Sequence, residues 1–267
     1  MKEGKNLMGG LIVTFGDSWV YGLGAQYKDG MSKEEYRITK DQDDLIDPIA
    51  FRTLLAERNN LELRNYAAGG SSNKKQFRHA NEFFSSDEFA KFQRKYSTII
   101  VLWGITSTAR TEQYNIHKRT FENLLYGAKH KGDKLMLEHN KIMLSRYYDH
   151  QIEVELLTQQ MKHWNEFFKF KGVKNMWFDI LNHHDYSYKF DNLCMNNGGP
   201  RDLLSRLTSY KLRDKFHFSM AEVDCSRVER GLKAKDLNPY SKHPTRVGHE
   251  KIFNLLDPYV KGLLSDS

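Results

Sequence analysis

Cysteine is almost missing from this sequence. Only Cys194 and Cys225 occur among 267 residues. No disulfide framework follows, a single bridge between the two is left open, and such sparse use favours a reducing compartment. No CxxC or CxxC…HxxxH spacing occurs, which argues against a structural zinc. No apolar stretch approaches the ~18 residues that a membrane span needs. The opening MKEGKNLMGG lacks the apolar stretch and cleavage site of a signal peptide, so residence in a cytoplasm is the default expectation. Internal repeats, low-complexity segments and runs of five or six like charges are also lacking.

What is present is a polar globular chain, 39% hydrophobic and 28% charged, long enough for one large domain with a proper core. Aromatic residues reach 13%, with 14 Tyr and 16 Phe. Such rings fill cores, and exposed ones line sugar or nucleobase grooves. The net charge of +7 is spread along the chain. It implies mild attraction to nucleic acid, acidic polysaccharide or lipid headgroups, and reads first as a solvated basic surface.

Four short apolar runs stand out: 11–15, 61–66 (LELRNY), 98–103 (TIIVLW) and 173–180 (VKNMWFDI). The third, continuous and β-branched, is the clearest buried strand. Helical patterns separate them. DPIAFRTLLAERNN suggests Asp47 as N-cap and Pro48 at the first helical position, with Ile49, Leu54 and Leu55 facing a core. Val154, Leu157, Met161, Trp164 and Phe168 recur at spacings of three and four. Ile252, Leu255, Leu256, Tyr259, Val260 and Leu263 do the same, with a kink or restart expected at Pro258. Alternating strands and helices imply right-handed crossovers and a parallel sheet between helical layers. The expected fold is a three-layer α/β/α sandwich around a parallel sheet, in one domain over 1–267. Two segments break the alternation, at about 112–150 and 181–235. The first is mostly helix-compatible. Both are expected to be insertions around the top of the sheet, as lids or binding surfaces.

Active sites in such sheets form beyond the carboxyl ends of the strands. Gly16-Asp17-Ser18, Gly69-Gly70-Ser71 and Gly104-Ile105-Thr106 each follow an expected strand directly. Ser18 is either a nucleophile at the sheet edge or, with Asp17, a cap on the next turn. A serine hydroxyl needs a base before it attacks a carbonyl, and a histidine base works best when its other nitrogen is held. The GxSxG elbow does not occur at Ser18.

FGDSWVYG, NYAAGGSSN, VLWGITS and KHPTRVGHEKIF come in this order along the chain. Together they resemble the GDSL-like, or SGNH, hydrolase superfamily, and GGSSN with WGITSTARTE is similar to a divergent group found in bacteriophage genomes. The motifs cover about a fifth of the chain and anchor both its ends. With the alternation, the resemblance implies a flavodoxin-like sheet of about five parallel strands, and it implies a serine esterase that needs no cofactor or metal. By position it makes Ser18 the nucleophile and an oxyanion donor through its N–H, Gly70 a second backbone donor, and His243 the general base. His243 read alone is also simply a surface histidine beside Pro244.

Two departures from the family pattern follow. The third block normally reads Gly-x-Asn-Asp, and here Thr106 stands at the Asn position. Asn73 is an alternative amide donor or a helix cap. The family's acid normally stands three residues before the histidine, where this chain has Tyr240. Asp236 is the candidate replacement, folding back through LNPYSK. Failing that, a carbonyl or water would hold the imidazole. Arg110 is read either as a bidentate clamp on an anionic substrate group or as a structural ion pair, and Glu112 sits with it at the cleft rim. Trp19 and Tyr21 either stack on a sugar or roof the core. His183-His184-Asp185 reads as a polar loop before a metal site, His249 as helix packing, and GLGAQ as a lone GxG without the third glycine, too weak for a phosphate loop.

The expected substrate is an ester-bearing small molecule or an acylated polysaccharide. The rival expectation is a catalytically degenerate binding or virion-associated protein gripping an anionic polymer. Nucleic-acid binding through 112–150 is a third.

Overall fold

The computed structural model describes residues 8–125, 134–181, 184–194, 237–241 and 243–265. Four strands form one parallel sheet: β1 (Met8–Phe15), β2 (Leu61–Asn65), β3 (Tyr96–Ile105) and, last in the sheet, Lys174–Asp179. Between β3 and that strand comes a hairpin, β4 (Arg110–Asn115) and β5 (Thr120–Leu125), so the fourth sheet strand is β6. The sheet order is β2-β1-β3-β6, with β1 and β3 paired from Met8↔Tyr96 to Phe15↔Trp103. The order reverses direction between β1 and β3, where open α/β sheets leave a crevice. The sheet among the described residues thus has four of the about five strands expected.

Period-two alternation sorts the strand residues into two cores. Leu11, Val13, Phe15, Ile99, Val101 and Trp103 face one layer of helices: α5 (Asn73–Phe84), α6 (Asp87–Lys95) and α8 (His150–Lys171). Ile12, Ile100, Leu102, Met176 and Phe178 face the other layer. It is built from α1 (Ser18–Tyr21), α4 (Phe51–Arg58) and α9 (Arg246–Ser265). α9 runs through Pro258 as one helix rather than restarting there. Two short helices, α2 (Lys33–Thr39) and α3 (Asp43–Ile46), lie between α1 and α4, and α7 (Lys134–Ile142) leads by a π turn toward α8.

Two local expectations fail. Asp47 caps no helix start: it ends α3, and α4 begins only at Phe51 after the extended Ala50. The Asp47 carboxylate pairs instead with the buried Arg52. The start of the 112–150 segment is strand, not helix. Asn115 Oδ1 accepts from the amides of His117 and Lys118 at 3.0 Å each, and Arg119 takes φ +51°. That side-chain-stabilised turn reverses the chain, and β4 pairs with β5.

Trp103 is the hub of the first core. Its ring lies 4.7 Å from Phe15 and 5.0 Å from both Phe77 and Trp177. Trp103→Ala is expected to lower the unfolding free energy by about 3–5 kcal/mol in a urea titration. Phe170→Ala, whose ring is 83% exposed, should change it by under ~0.5 kcal/mol.

Candidate active site

The turn after β1 carries Ser18. Gly16 takes φ +152°, and its amide donates to Gln76 Oε1 at 2.9 Å. A Cβ on Gly16 would stand 2.4 Å from Val20 Cγ2, and one on Gly104 would stand 2.6 Å from the same atom. Two glycines on neighbouring strands therefore let Val20 seat α1 on the end of the sheet. Asp17 caps α1, its Oδ1 accepting from the Trp19 amide at 2.9 Å. Ser18 is thereby the first residue of a helix and is buried, at 4% exposure. Its backbone N–H has no acceptor among the described residues.

Ser18 Oγ lies 2.8 Å from His243 Nε2, across 225 positions of chain. Close approach of two loops makes this contact. The Asn238 amide donates to the His243 carbonyl at 2.9 Å, and Leu237 bridges to Pro244, closing a tight loop. Gly24 receives that loop at φ +94°. A Cβ there would sit 2.6 Å from the Pro244 carbonyl oxygen and 2.8 Å from His243 Cβ. The GLGAQ segment is thus the seat of the histidine loop, a role its sequence alone did not suggest.

The other imidazole nitrogen, Nδ1, lies 2.8 Å from Ser241 Oγ. Tyr240, three residues before His243, turns away: its hydroxyl donates to the Met31 carbonyl at 2.7 Å. Asp236 lies outside the described residues. Ser241 and its neighbour Tyr36 were not foreseen. Ser241 stands two residues before the histidine, which is a usable signal. Tyr36 lies on α2, 205 positions away from Ser241, and has no local signature.

The third block behaves differently from expectation. The Thr106 hydroxyl donates to Asp17 Oδ2 at 2.9 Å, so it is engaged beneath the site. Arg110 Nη1 donates to the same oxygen at 2.8 Å, making the structural ion pair rather than an open clamp. Asn73 is the first residue of α5, whose N-cap is Ser72. Its amide donates to the Thr106 carbonyl at 2.9 Å and accepts from the Thr106 N–H at 3.0 Å. It therefore fixes the third block to the second. Gln76 adds a tie, donating to Ser71 Oγ at 2.7 Å while it accepts from Gly16. Gly70 is exposed at φ +68°, and its N–H has no acceptor among the described residues. Its immediate neighbour across the gap is Asn123 of β5, whose Nδ2 would lie 4.0 Å from a Cβ at Gly70.

The remaining candidates are structural. Trp19 is buried in the core, and Tyr21 bonds Asp43. Glu112 takes Arg78 in a two-pronged pair, at 3.0 Å on each side. His184 is buried with its Nε2 3.2 Å from the Thr106 carbonyl oxygen, while His183 lies outside the described residues. No cluster of three metal-ligating side chains occurs among the described residues. His249 packs in α9 against the Phe51 ring, and its Nδ1 accepts from the Phe51 amide at 3.4 Å.

No protein-family model and no curated protein matches this chain. Among solved structures it is similar to a carbohydrate esterase whose active site "displays divergent catalytic and non-catalytic binding functions". That likeness has 12% identity and a TM-score of 0.38, covering 94% of this chain and 68% of the other. Among the described residues, no helix is long and apolar enough to cross a membrane.

Burial dominates the electrostatics. It pushes the His243 imidazole down to about 4, with Asp17 opposing and Arg110 and Lys40 assisting. Burial also lowers His249, to about 3, with Arg52 and His243 assisting. Both rings are neutral at pH 7. The unfolded chain binds more protons on these groups once the pH falls below the ordinary histidine value of about 6.5. Their contribution to stability is therefore intact above about 6.5 and is lost progressively down to about 3. Urea midpoints measured from pH 7.5 to 4.5 should fall, and His249→Gln should flatten that slope. Arg110→Ala strands a fully buried carboxylate, since Asp17 is 0% exposed. It should cost about 3–5 kcal/mol in the same titration at pH 7.5.

Proposed function

We propose that this chain is a serine hydrolase of SGNH type that cleaves an ester, with an O-acyl group on a carbohydrate as the favoured substrate class. The observation that carries the reading is the 2.8 Å contact between Ser18 Oγ and His243 Nε2. The reading takes the chain as one domain, with the β4–β5 hairpin part of an insertion at the rim of the site. A net charge of +7 suits an acylated acidic polysaccharide. The bacteriophage-like motifs suit work in a host cytoplasm or at a virion.

In this reading His243 Nε2 takes the Ser18 proton as Oγ attacks the ester carbonyl carbon. The carbonyl π pair moves to oxygen, and the N–H groups of Ser18 and Gly70 receive the oxyanion. The imidazolium then gives its proton to the departing alkoxide, leaving an acyl-serine. Water attacks the acyl carbon, again deprotonated by His243, and Ser18 is restored as the carboxylic acid leaves. Thr106 does not serve as the third donor here, because its hydroxyl is engaged by Asp17. Asn73 and Arg110 hold the site's floor. That loss of a side-chain donor favours a slow esterase, and it is also what keeps the second reading alive: a degenerate site that binds an acylated or anionic polymer without turnover.

A fluorophosphonate probe separates the two. Adduct formation at Ser18 is expected, and Ser18→Ala and His243→Ala should each reduce esterase turnover by on the order of 10⁴-fold. Because burial holds His243 neutral down to about 4, the acid limb of kcat/KM should lie well below pH 6.5. Absence of any adduct from pH 5 to 9, with polymer binding retained, would establish the binder instead.

A further inference from the structure

The orienting arm of His243 contains a closed circuit of neutral groups. Asn238 is its anchor. Its Oδ1 accepts from the amides of Ser241 at 2.8 Å and Tyr240 at 3.1 Å, and its Nδ2 donates to the His243 carbonyl at 3.0 Å. Backbone partners on both ends thus fix which end of the amide is oxygen, a choice that packing alone would leave open. The second Nδ2 hydrogen points at the Tyr36 hydroxyl, 3.4 Å away. An amide nitrogen only donates, so the Tyr36 oxygen accepts there. Ser241 Oγ gives its one proton to Asn238 Oδ1 at 3.1 Å. At the 2.5 Å contact between the two hydroxyls, Tyr36 is therefore the donor and Ser241 the acceptor. The three bonds run one way around the ring. The lone pair left on Ser241 Oγ faces His243 Nδ1 at 2.8 Å.

We propose that Asn238, Tyr36 and Ser241 form a directional hydrogen-bonded ring that takes the place of the orienting carboxylate and holds His243 as the Nδ1–H tautomer. Nε2 is then the bare nitrogen, and it faces Ser18. The ring stands on geometry alone, but its catalytic consequence rests on the hydrolase reading. These are positioning residues, since they reach the reacting atoms only through His243. Tyr36 is 4% exposed, and burial raises its hydroxyl above the ordinary tyrosine value, so it stays a proton donor across the working range. A hydroxyl in place of a carboxylate carries no charge to balance the imidazolium. The groups that do act on that charge are Asp17, Arg110 and Lys40.

Nitrogen-15 spectra of histidine-labelled protein at pH 7, with His243→Asn for assignment, test the ring without needing activity. The non-protonated nitrogen of His243 is expected at Nε2, and finding it at Nδ1 overturns the proposal. Ser241→Ala should mix the two tautomers. It should also slow fluorophosphonate labelling of Ser18 about tenfold, lowering kcat and not KM, with Ser241→Thr restoring the rate. Tyr36→Phe breaks the ring without touching His243 and should give a smaller slowing of the same kind. Ser241→Asp should move the acid limb up by about one pH unit or more, by placing a negative charge on Nδ1–H. Wild-type tautomer and labelling rate in both Ser241→Ala and Tyr36→Phe would overturn the ring and leave the hydrolase standing. A larger slowing by Asp236→Asn than by Ser241→Ala would transfer the orienting role to Asp236 and also overturn it. If wild type takes no label at all, the hydrolase reading fails, and the nitrogen spectrum still judges the ring.

Discussion

The approach of the loop around His243 to Gly24 is the constraint on which the site depends. Ser18 and His243 belong to opposite ends of the chain, and their hydrogen bond requires two backbones to pass within van der Waals distance. Any side chain at Gly24 would occupy the space of the Pro244 carbonyl and of His243 Cβ, and its φ of +94° is one that glycine alone adopts without strain. α9 supplies the other half of the docking. His249, one turn into α9, is pinned to the start of α4 through the Phe51 amide, and Ile252, Leu256 and Val260 bury the helix on the sheet. Sheet, helix and glycine together set the reach of the imidazole. The hydrogen bond to Ser18 is a consequence of that packing, not its cause.

Asp17 is the second centre of organisation, and it explains what became of the third block. One carboxylate oxygen caps α1 while the other takes both Thr106 and Arg110. A buried carboxylate with a hydrogen-bonded counter-ion is costly to break but contributes little net stability. What it contributes is registry. It ties the turn after β1 to the turn after β3 and to the first residue of the β4–β5 hairpin. Asn73 then ties the Thr106 backbone to α5, so three turns from three strands are joined into one floor under Ser18.

Much of this was legible in the sequence because it is periodic or local. β3 is a continuous apolar run, β1 and β6 hold shorter ones, and α8 and α9 carry apolar stripes, so the layered fold could be read directly. The sequence signals at Ser18, Gly70 and His243 stood at strand ends or in motif order, and the structure brings Ser18 and His243 together. Other features were hidden for physical reasons. The hairpin at Arg110–Leu125 is built from residues that tolerate a helix, and what decides it is a side chain, Asn115, folding onto two backbone amides. Asn73 and Thr106 look like substrate donors by position, yet each is engaged by a partner more than thirty positions away. Tyr36 and Ser241 meet only in three dimensions.

If His243 serves as a base, a neutral arm on it has a coherent electrostatic logic in this site. Asp17 already places one fully buried negative charge nearby, and it acts on His243. A second carboxylate on Nδ1 would stand in the same low-dielectric region, and like charges there penalise one another. With Arg110 compensating Asp17, a hydroxyl ring leaves the resting site free of uncompensated charge. The consequence falls on the transition state. On the hydrolase reading, an imidazolium formed at Nε2 is stabilised among the described residues by hydrogen bonding and by Asp17 at a distance, which makes His243 a weak base. On that reading, the arrangement suits work below neutral pH, where a stronger histidine base would already be protonated.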